Sequence, residues 1–211
     1  MIQIYKEIRP YNFALLLTGL LLLIGAGVVS FLPKGDLLIF LNTYHNKVLD
    51  HFFYYLTNMG DGLIFLPLVL IAFLIDKRLG IYYLLVGLMH AALVSIGKYI
   101  LFENSPRPII YLKQYTLHLV EGLKVHKWNS FPSGHTATVF AACTAIILFL
   151  KSKLLQVLMI IIACLAGISR VYLCQHFFQD VFIGAVLGVV SPWFLWKVYY
   201  FPVVLMKDGI Q

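Results

Sequence analysis

Residues 158–190 read LMIIIACLAGISRVYLCQHFFQDVFIGAVLGVV, in which two apolar runs enclose a polar segment. That segment, SRVYLCQHFFQD at 169–180, carries an arginine, a histidine and an aspartate within eleven residues. A helix crosses the roughly 30 Å of bilayer hydrocarbon with about 20 mostly apolar residues, so each run can form most of one span. Ionisable groups beside such spans are costly and usually functional. The stretch therefore predicts an all-α membrane protein with a functional site at helix ends.

The composition of the whole chain agrees with this interpretation. Of the 211 residues, 61% are hydrophobic and 12% are charged, whereas soluble domains carry about 25% charged residues. The first apolar run is longer than the roughly 7–15-residue core of a signal peptide, so we expect an uncleaved helix. Residues 1–211 then form one polytopic domain with six transmembrane helices. The predicted spans are about 13–32, 62–75, 79–102, 131–150, 154–169 and 177–198.

This layout brings the polar segments to one membrane surface. Three of the spans have short apolar cores, so their helices must extend into polar flanks that include Asp61, Arg170 and Asp180. Each odd-numbered span ends on the side where the next even-numbered span begins. The ends of spans three and five therefore meet the starts of spans four and six, and both termini lie on the opposite side.

The basic residues predict the orientation of the protein. The net charge of +7 comes from lysines and arginines scattered among short loops, without the stripe that indicates a nucleic-acid partner. Apart from Lys98, Arg107 and Arg170, these residues favour the side of the termini by eight to five. By the positive-inside rule both termini are then cytoplasmic. The compact chain is typical of a multi-pass protein of a bacterial inner membrane, with its active site facing the periplasm or outer surface.

Two connections have patterns of their own. Within residues 36–60, apolar side chains follow the i, i+3, i+4, i+7 spacing of an amphipathic helix lying in the membrane interface. These side chains are Leu49, Phe52, Phe53 and Leu56. The alternative for this segment is an ordinary loop. Residues 103–130 form the only long polar connection, and its length indicates a functional or disordered segment whose fold the sequence does not predict.

Other features favour packing over chemistry. His90 is a lone polar residue within the third span, which is more typical of a hydrogen-bonded packing residue than of a ligand. Gly184 and Gly188 form a G-x-x-x-G pair, which is typical of close helix packing. The cysteines lack the spacing of a metal site or a disulfide framework and are interpreted as packing residues. They are Cys143, Cys164 and Cys174.

The convergent side chains include the components of a phosphate pocket. Two arginines and a lysine match phosphate oxygens, the guanidinium groups in bidentate fashion. The sequence FPSGH at 131–135 opens a helix. The Ser133 hydroxyl and the amides around Gly134 can there donate to an anion that the helix N-terminus favours. The predicted phosphate-binding residues are Lys98, Arg107, Ser133, Gly134 and Arg170.

Two histidines supply a reaction for such a pocket. His176 and Asp180 are four residues apart and share a face if they lie on a helix. The carboxylate can accept from one ring nitrogen, which leaves the other free to attack phosphorus and form a phosphohistidine. His135 then protonates the leaving oxygen and later activates water. The alternative is a structural polar network that holds helix ends together.

The acidic residues do not suggest a metal site. No carboxylate cluster near these residues is suited to Mg²⁺, because Asp180 is already assigned to His176. We therefore expect metal-free chemistry with no cofactor.

The order and spacing of these residues resemble the type 2 phosphatidic acid phosphatase (PAP2) superfamily over about residues 35–200. Three motifs carry the resemblance: Lys98 to Arg107-Pro108, then Pro132-Ser133-Gly134-His135, then Ser169-Arg170 followed by His176 and Asp180. The second and third match the family residue for residue. The resemblance implies a six-span fold and a phosphohistidine mechanism, with His176 as nucleophile, Asp180 as its partner and His135 as general acid.

The first motif departs from the family's pattern. Eight residues separate Lys98 from Arg107, where the family usually has six. Nine positions correspond to about two and a half helical turns, which would place the two side chains on opposite faces. The helix must therefore break in this interval, and Asn104-Ser105-Pro106 is the predicted break. Lys98 either contacts phosphate or extends to the interface as a lysine at a span end.

These residues together predict an integral-membrane enzyme that hydrolyses a phosphomonoester or diphosphate of a lipid. Undecaprenyl diphosphate, lipid A, phosphatidylglycerol phosphate and phosphatidate all fit, and the bilayer is the other partner. A lipid phosphotransferase with the same phosphohistidine is an alternative, since an acceptor site is not a motif. A lipid-phosphate transporter is a weaker one, because the sequence shows no inverted repeats. The oligomeric state is left open.

Overall fold

The described part of the molecule is helical throughout. The structure, a computed structural model, describes residues 11–202. Three of the charged residues on which the predicted orientation depends lie outside the described residues: Lys6, Arg9 and Lys207. Both termini also lie outside them. No strand occurs between residues 11 and 202, so the all-α prediction is confirmed there.

Nine α-helices follow one another along these residues. They are α1 (Tyr11–Phe31), α2 (Asp36–Thr43), α3 (Lys47–Leu56), α4 (Phe65–Ile75), α5 (Lys77–Ile96), α6 (Pro108–Tyr111), α7 (Gly134–Ile147), α8 (Lys153–Tyr172) and α9 (Phe178–Leu195). Two 3₁₀ turns, Thr57–Gly60 and Gly62–Ile64, join α3 to α4. Wider π-helical turns extend α5 through Gly97–Leu101 and α9 through Trp196–Tyr200.

Four of these helices are long and apolar enough to cross a membrane: Phe13–Phe31, Lys77–Leu101, Lys153–Tyr172 and Phe178–Tyr200. Lys47–Gly60 and Gly62–Ile75 form a fifth candidate if they count as one span, although they are bent by 56°. These helices identify an integral membrane protein with four or five candidate spans among the described residues. The count of six stays a prediction, because α7 has 14 residues and rises only about 21 Å at 1.5 Å per residue.

The short helix α7 lies at the centre of the bundle. Eleven of its residues are buried, and it packs against α9, α8 and α5. Its position explains why it can be shorter than a lipid-exposed span, because neighbouring helices rather than hydrocarbon surround its backbone. Small side chains along α7, among them Ala137, Ala141 and Ala145, are almost completely inaccessible and let these neighbours approach closely.

Side-chain caps determine where several helices begin. The Asp76 carboxylate accepts from the amides of Arg78 and Leu79 at the start of α5. Ser152 accepts from the amide of Leu155 at the start of α8. Each cap satisfies an amide that has no partner within its helix. The turns between spans are therefore short and well defined.

The proposed interfacial segment is helical, so the alternative of an ordinary loop is wrong. The Asn46 side chain caps α3 by accepting from the amides of Val48 and Leu49. The apolar face of α3, however, packs against the protein: Phe53 lies in a cluster with Tyr172 and Leu173. This face is therefore largely occupied, and the location of α3 in the membrane interface stays a prediction.

The G-x-x-x-G pair in α9 packs closely against α7, as predicted. A Cβ atom at Gly184 would come 2.5 Å from the carbonyl oxygen of Ser133, and one at Gly188 would come 2.6 Å from that of Ala137. Neither distance can accommodate a side chain without a shift of the backbone. The two glycines thus bring the start of α9 against the start of α7.

The cysteines and His90 are packing residues, again as predicted. All three thiols are free. The two ring nitrogens of His90 lie within hydrogen-bond distance of the Val86 carbonyl and the Thr138 hydroxyl. The ring is only 4% exposed.

The long connection at 103–130 contains only the short helix α6 and is otherwise irregular. Asn42 holds it through two hydrogen bonds to the backbone of His118. The His118 ring lies 2.9 Å from Asp50. These contacts fasten the middle of the connection to α2 and α3, over the polar end of the bundle.

Candidate active site

The backbone brings the starts of α7 and α9 and the end of α8 together. The amide of Ser133 donates to the carbonyl of Asp180 at 2.9 Å. The amides of Gln175 and His176 both donate to the carbonyl of Arg170, which closes the turn between α8 and α9. The second and third sequence motifs therefore form one continuous cluster.

His176 and Asp180 face each other at the centre of this cluster. The Nδ1 atom of His176 lies 3.3 Å from Oδ2 of Asp180, and both side chains are 2% exposed. Burial lowers the pKa of His176, and the hydrogen bond to Asp180 opposes this shift. When a neutral ring donates its Nδ1–H to the carboxylate, Nε2 keeps its lone pair. The arrangement is that of an oriented neutral imidazole.

Two further donors converge on the same carboxylate oxygen. The backbone amide of Phe177 lies 3.0 Å from Oδ2 of Asp180, and the Ser130 hydroxyl lies 2.5 Å from it. Sequence reasoning included Ser130 in the segment before α7 but gave it no role. Its signal in the sequence is a serine three residues before Ser133.

Arg107 is held by the chain on either side of the site. Its Nε donates to the carbonyl of Trp128, and its Nη1 donates to both the backbone and the side-chain oxygens of Gln175. The side-chain nitrogen of Gln175 donates in turn to the carbonyl of Lys124. Gln175 is a second residue that sequence reasoning missed, since nothing in its spacing distinguishes it from its neighbours.

Arg170 lies deeper and is only 5% exposed. Its Nη1 donates to the Thr57 hydroxyl, a contact with the turn after α3 that the sequence did not indicate. Its buried Nε has no hydrogen-bond partner in the structure. A buried donor of this kind is costly unless an acceptor reaches it, and an anionic oxygen would be a suitable acceptor.

Lys98 lies in the π-helical turn Gly97–Leu101 that ends α5. The helix is thus broken between Lys98 and Arg107, as predicted. Its helical turns end at Leu101, and Asn104-Ser105-Pro106 lies outside them. A Cβ atom at Gly97 would lie 2.6 Å from Pro132, so this glycine allows the turn to pass the start of α7. The Lys98 ammonium donates to the carbonyl of Asn129 at 2.8 Å.

Ser133 and Gly134 form the start of α7. The Ser133 hydroxyl pairs with Thr136 Oγ1 at 2.9 Å and accepts from the amide of Thr136, so it acts as the helix cap. Its own amide is bonded to Asp180. The amides of Gly134 and His135 are among the first of the helix, where no intrahelical acceptor exists. Phosphate binding by the Ser133 hydroxyl stays a prediction.

His135 lies on the first turn of α7, opposite the turn between α3 and α4. A Cβ atom at Gly60 would come 2.7 Å from the carbonyl oxygen of His135, which shows how closely the two segments approach. The His135 ring makes no hydrogen bond with another described residue. It lines a groove between α4, α5 and α7.

The site carries an excess of positive charge. Within residues 11–202, no carboxylate lies within ion-pair distance of Lys98, Arg107 or Arg170. Asp180 is the acidic side chain at the centre, and it is paired with His176. Burial and then the nearby cations, Arg107 first, lower the pKa of the exposed His126. Such a site favours an anionic ligand with several oxygens, such as a phosphate group.

The described residues contain no group of three or more His, Cys, Asp or Glu side chains that could hold a metal ion. Metal-free chemistry stays a prediction.

Known proteins share this architecture. The family model described as the PAP2 superfamily matches residues 79–202, which is more than half of the chain. LpxE from Aquifex aeolicus has a similar structure, with a TM-score of 0.68 and 31% identity over 79% of this chain and 96% of that chain. A PAP2-type phosphatidylglycerolphosphate phosphatase from Bacillus subtilis shares the fold at a TM-score of 0.60 and 22% identity, over 98% of each chain.

A sequence relative supports the same assignment over a shorter region. Lipid phosphate phosphatase 1 of Arabidopsis thaliana is 38% identical in an alignment of 85 residues that covers 34% of this chain. The match spans only 26% of that protein's length. The family match, by contrast, contains every residue that meets at the site from Lys98 to Asp180. The chain belongs to the PAP2 superfamily.

Proposed function

We propose that this protein removes a phosphate group from a membrane lipid through a phosphohistidine on His176. The observation that supports a lipid substrate is a mainly apolar groove of about 550 Å³ whose lining includes His135. Its walls include Leu66, Leu70 and Phe73 of α4 and Leu84, Leu88 and Val94 of α5. A hydrocarbon chain attached to the reacting phosphate can lie in this groove while the phosphate meets the cations.

The proposed reaction has two steps. His176 Nε2 attacks phosphorus while His135 gives a proton to the departing oxygen, so the P–N bond forms as the P–O bond breaks. His135 then takes a proton from water, whose oxygen attacks phosphorus and releases inorganic phosphate and neutral His176. Asp180 holds the ring and stabilises its positive charge. Arg107, Arg170 and Lys98 stabilise the charge on the phosphoryl oxygens.

The substrate class follows from the groove and from the relatives. One hydrocarbon groove and one cationic site suit a lipid phosphomonoester or diphosphate. Undecaprenyl diphosphate, lipid A, phosphatidylglycerol phosphate and phosphatidate are the members to test. The reaction is proposed to need no metal, since the cationic side chains take the place of a divalent ion in binding phosphate oxygens.

The proposed setting is a bacterial inner membrane crossed six times. Helix α4, at the predicted second span, and the short α7 would supply the two spans beyond the four long helices, with α3 in the membrane interface. The site would then face the periplasm or outer surface, with both termini in the cytoplasm.

The test is phosphate release from these four purified lipids in detergent, with H176A as the blank. We expect inorganic phosphate to be released by the wild type without any added acceptor, and release to persist in EDTA. H176A should keep its thermal unfolding midpoint and lose turnover. Full activity of H176A would remove the nucleophile assignment. If the lipid loses its phosphate only when an acceptor alcohol is added, and the phosphate is recovered on that alcohol, the reaction is phosphotransfer. A strict Mg²⁺ requirement would contradict the metal-free reaction.

A further inference from the structure

We infer that Ser130 is a positioning residue that acts through Asp180 to orient the nucleophile His176. The inference rests on the proposed function and adds a residue to the machinery of the same site. Ser130 lies on the connection before α7, 50 positions from Asp180 in the chain. Its side chain is almost completely buried, with 1% of the residue exposed.

The geometry around Asp180 Oδ2 carries the inference. This single oxygen accepts from Ser130 Oγ at 2.5 Å, from the amide of Phe177 at 3.0 Å and from His176 Nδ1 at 3.3 Å. The imidazole contact is the longest of the three, so the imidazole alone does not determine where the oxygen lies. The Phe177 amide belongs to the same helix start as Asp180. Ser130 is therefore the donor that ties the carboxylate to the other side of the site.

Among residues 11–202, the Ser130 hydroxyl has no hydrogen-bond partner other than Asp180. The segment is anchored through backbone atoms: the amide of Ser130 donates to the carbonyl of Ser105, and the amide of Phe131 donates to the Ser105 hydroxyl. The start of α7 is capped by Ser133. Removing the Ser130 hydroxyl leaves these contacts in place and takes away one of the three donors to the carboxylate.

The consequence is a specific kinetic defect. A carboxylate that has lost this donor can rotate away from His176 Nδ1. The ring is then no longer held in the tautomer that keeps the lone pair on Nε2, and Nε2 is no longer aimed at phosphorus. Phosphate binding should be unaffected, because the hydrogen bonds of Lys98, Arg107 and Arg170 to other described residues do not include Ser130. The loss should therefore appear in kcat rather than in KM.

The experiment compares S130A and S130T with the matched control S191A on the lipid phosphate that the wild type hydrolyses fastest. Ser191 is as buried as Ser130, but its hydroxyl donates to the Leu187 carbonyl of its own helix. We expect S130A to lower kcat by about ten- to a hundredfold, as for the loss of a hydrogen bond to a charged group. KM should stay unchanged, S130T should recover most of the loss, and S191A should behave like the wild type.

If S130A does not fold in detergent, S130C keeps the shape of the side chain with a weaker donor. It should also lower kcat.

A double mutant separates positioning from a general structural role. If Ser130 acts through Asp180, S130A should cause no further loss of single-turnover rate in a D180A background. The inference is overturned if S130A has the kcat of S191A, or if it lowers the rate equally with and without Asp180. A wild-type protein that hydrolyses none of the four lipids would instead contradict the proposed function itself. The two failures are therefore distinguishable.

Discussion

His176 shows how one residue acquires a chemical role from its surroundings. Burial, and then the nearby Arg107 and Arg170, lower the pKa of the ring against the opposing effect of Asp180. The Nδ1 atom is directed at the Asp180 carboxylate. A histidine on the protein surface would be protonated below a pH of about 6.5. At this position the ring stays neutral to a lower pH, as a nucleophile requires.

The lowered pKa of His176 predicts the acid side of the pH profile. A histidine with a depressed pKa loses its nucleophilic form only when the pH falls through that lower value. In single-turnover experiments, phosphoenzyme formation should therefore not decline between pH 7.5 and about 6, on either side of the ordinary imidazole pKa. Rapid-quench measurement of labelled enzyme at each pH provides the check. The prediction would be contradicted if the rate of phosphoenzyme formation fell to half near pH 6.5 with the pH dependence of a single protonation of the free enzyme.

Hydrogen bonds to the protein hold Arg107 and Arg170 in place. Each guanidinium is partly bonded to the protein, to Gln175 and Trp128 in one case and to Thr57 in the other. Such contacts fix the direction of the donors that remain and reduce the entropy lost when phosphate binds. The cationic pocket is thus organised before a substrate arrives.

Among the elements, the contact of α9 with α7 positions the proposed catalytic groups. Helix α9 contains Asp180 and follows His176. Helix α7 begins with His135 and with the amides that are proposed to bind phosphate. Their separation is set by Gly184, over which the carbonyl of Ser133 lies. A small change in the distance between these helices should therefore alter both stability and catalysis.

We expect G184A to destabilise the protein by about 1–3 kcal/mol, the usual cost of overpacking, and to lower kcat. The added methyl group would meet the Ser133 carbonyl at 2.5 Å and displace the start of α7. The matched control is G19A in α1, where nothing lies within 4 Å of the added atom. G19A should be neutral or slightly stabilising, since alanine favours a helix. Thermal unfolding in detergent with parallel activity assays tests both. Equal midpoints for the two variants would show that the helix contact is looser than the structure indicates.

At the scale of the whole molecule, the polar ends of several helices gather on one side of an otherwise apolar bundle. The long connection at 103–130 covers that side, fastened through Asn42, Asp50 and Gln175. The opposite end contains the short turns between α4 and α5 and between α7 and α8. In a membrane, the two ends must face different compartments.

The proposed orientation predicts which side chains a membrane-impermeant thiol reagent can reach. In intact spheroplasts, K113C in the long connection should be labelled, whereas K77C at the start of α5 should be labelled only after the membrane is opened. Both lysines are exposed. The unsubstituted protein serves as the blank, because Cys143 and Cys174 are buried and Cys164 is partly buried. The reverse labelling pattern would overturn the predicted orientation.

The amino-acid sequence alone predicts the helical class and the residue types of the site. Runs of apolar residues require helices in a bilayer, and the alternation of the chain across the membrane brings the ends of successive spans to one side. Hydropathy therefore groups Lys98, Arg107, His135, Arg170 and His176 on one surface. The i, i+3, i+4, i+7 spacing also predicted helix α3, and the G-x-x-x-G pair predicted the close packing of Gly184.

The way these side chains are held depends on contacts between remote parts of the fold. The contacts of Asp180 with Ser130, of Arg107 with Gln175 and of Arg170 with Thr57 join residues 50, 68 and 113 positions apart. The π-helical turn that brings Lys98 to the site, the use of the Ser133 hydroxyl as a helix cap and the packing of α3 on α8 also emerged only there. Hydropathy and spacing report which face of an element is apolar. They do not report which polar partner a side chain meets. A hydrogen bond between elements that are remote in the chain requires their separation to be correct to within a few tenths of an ångström.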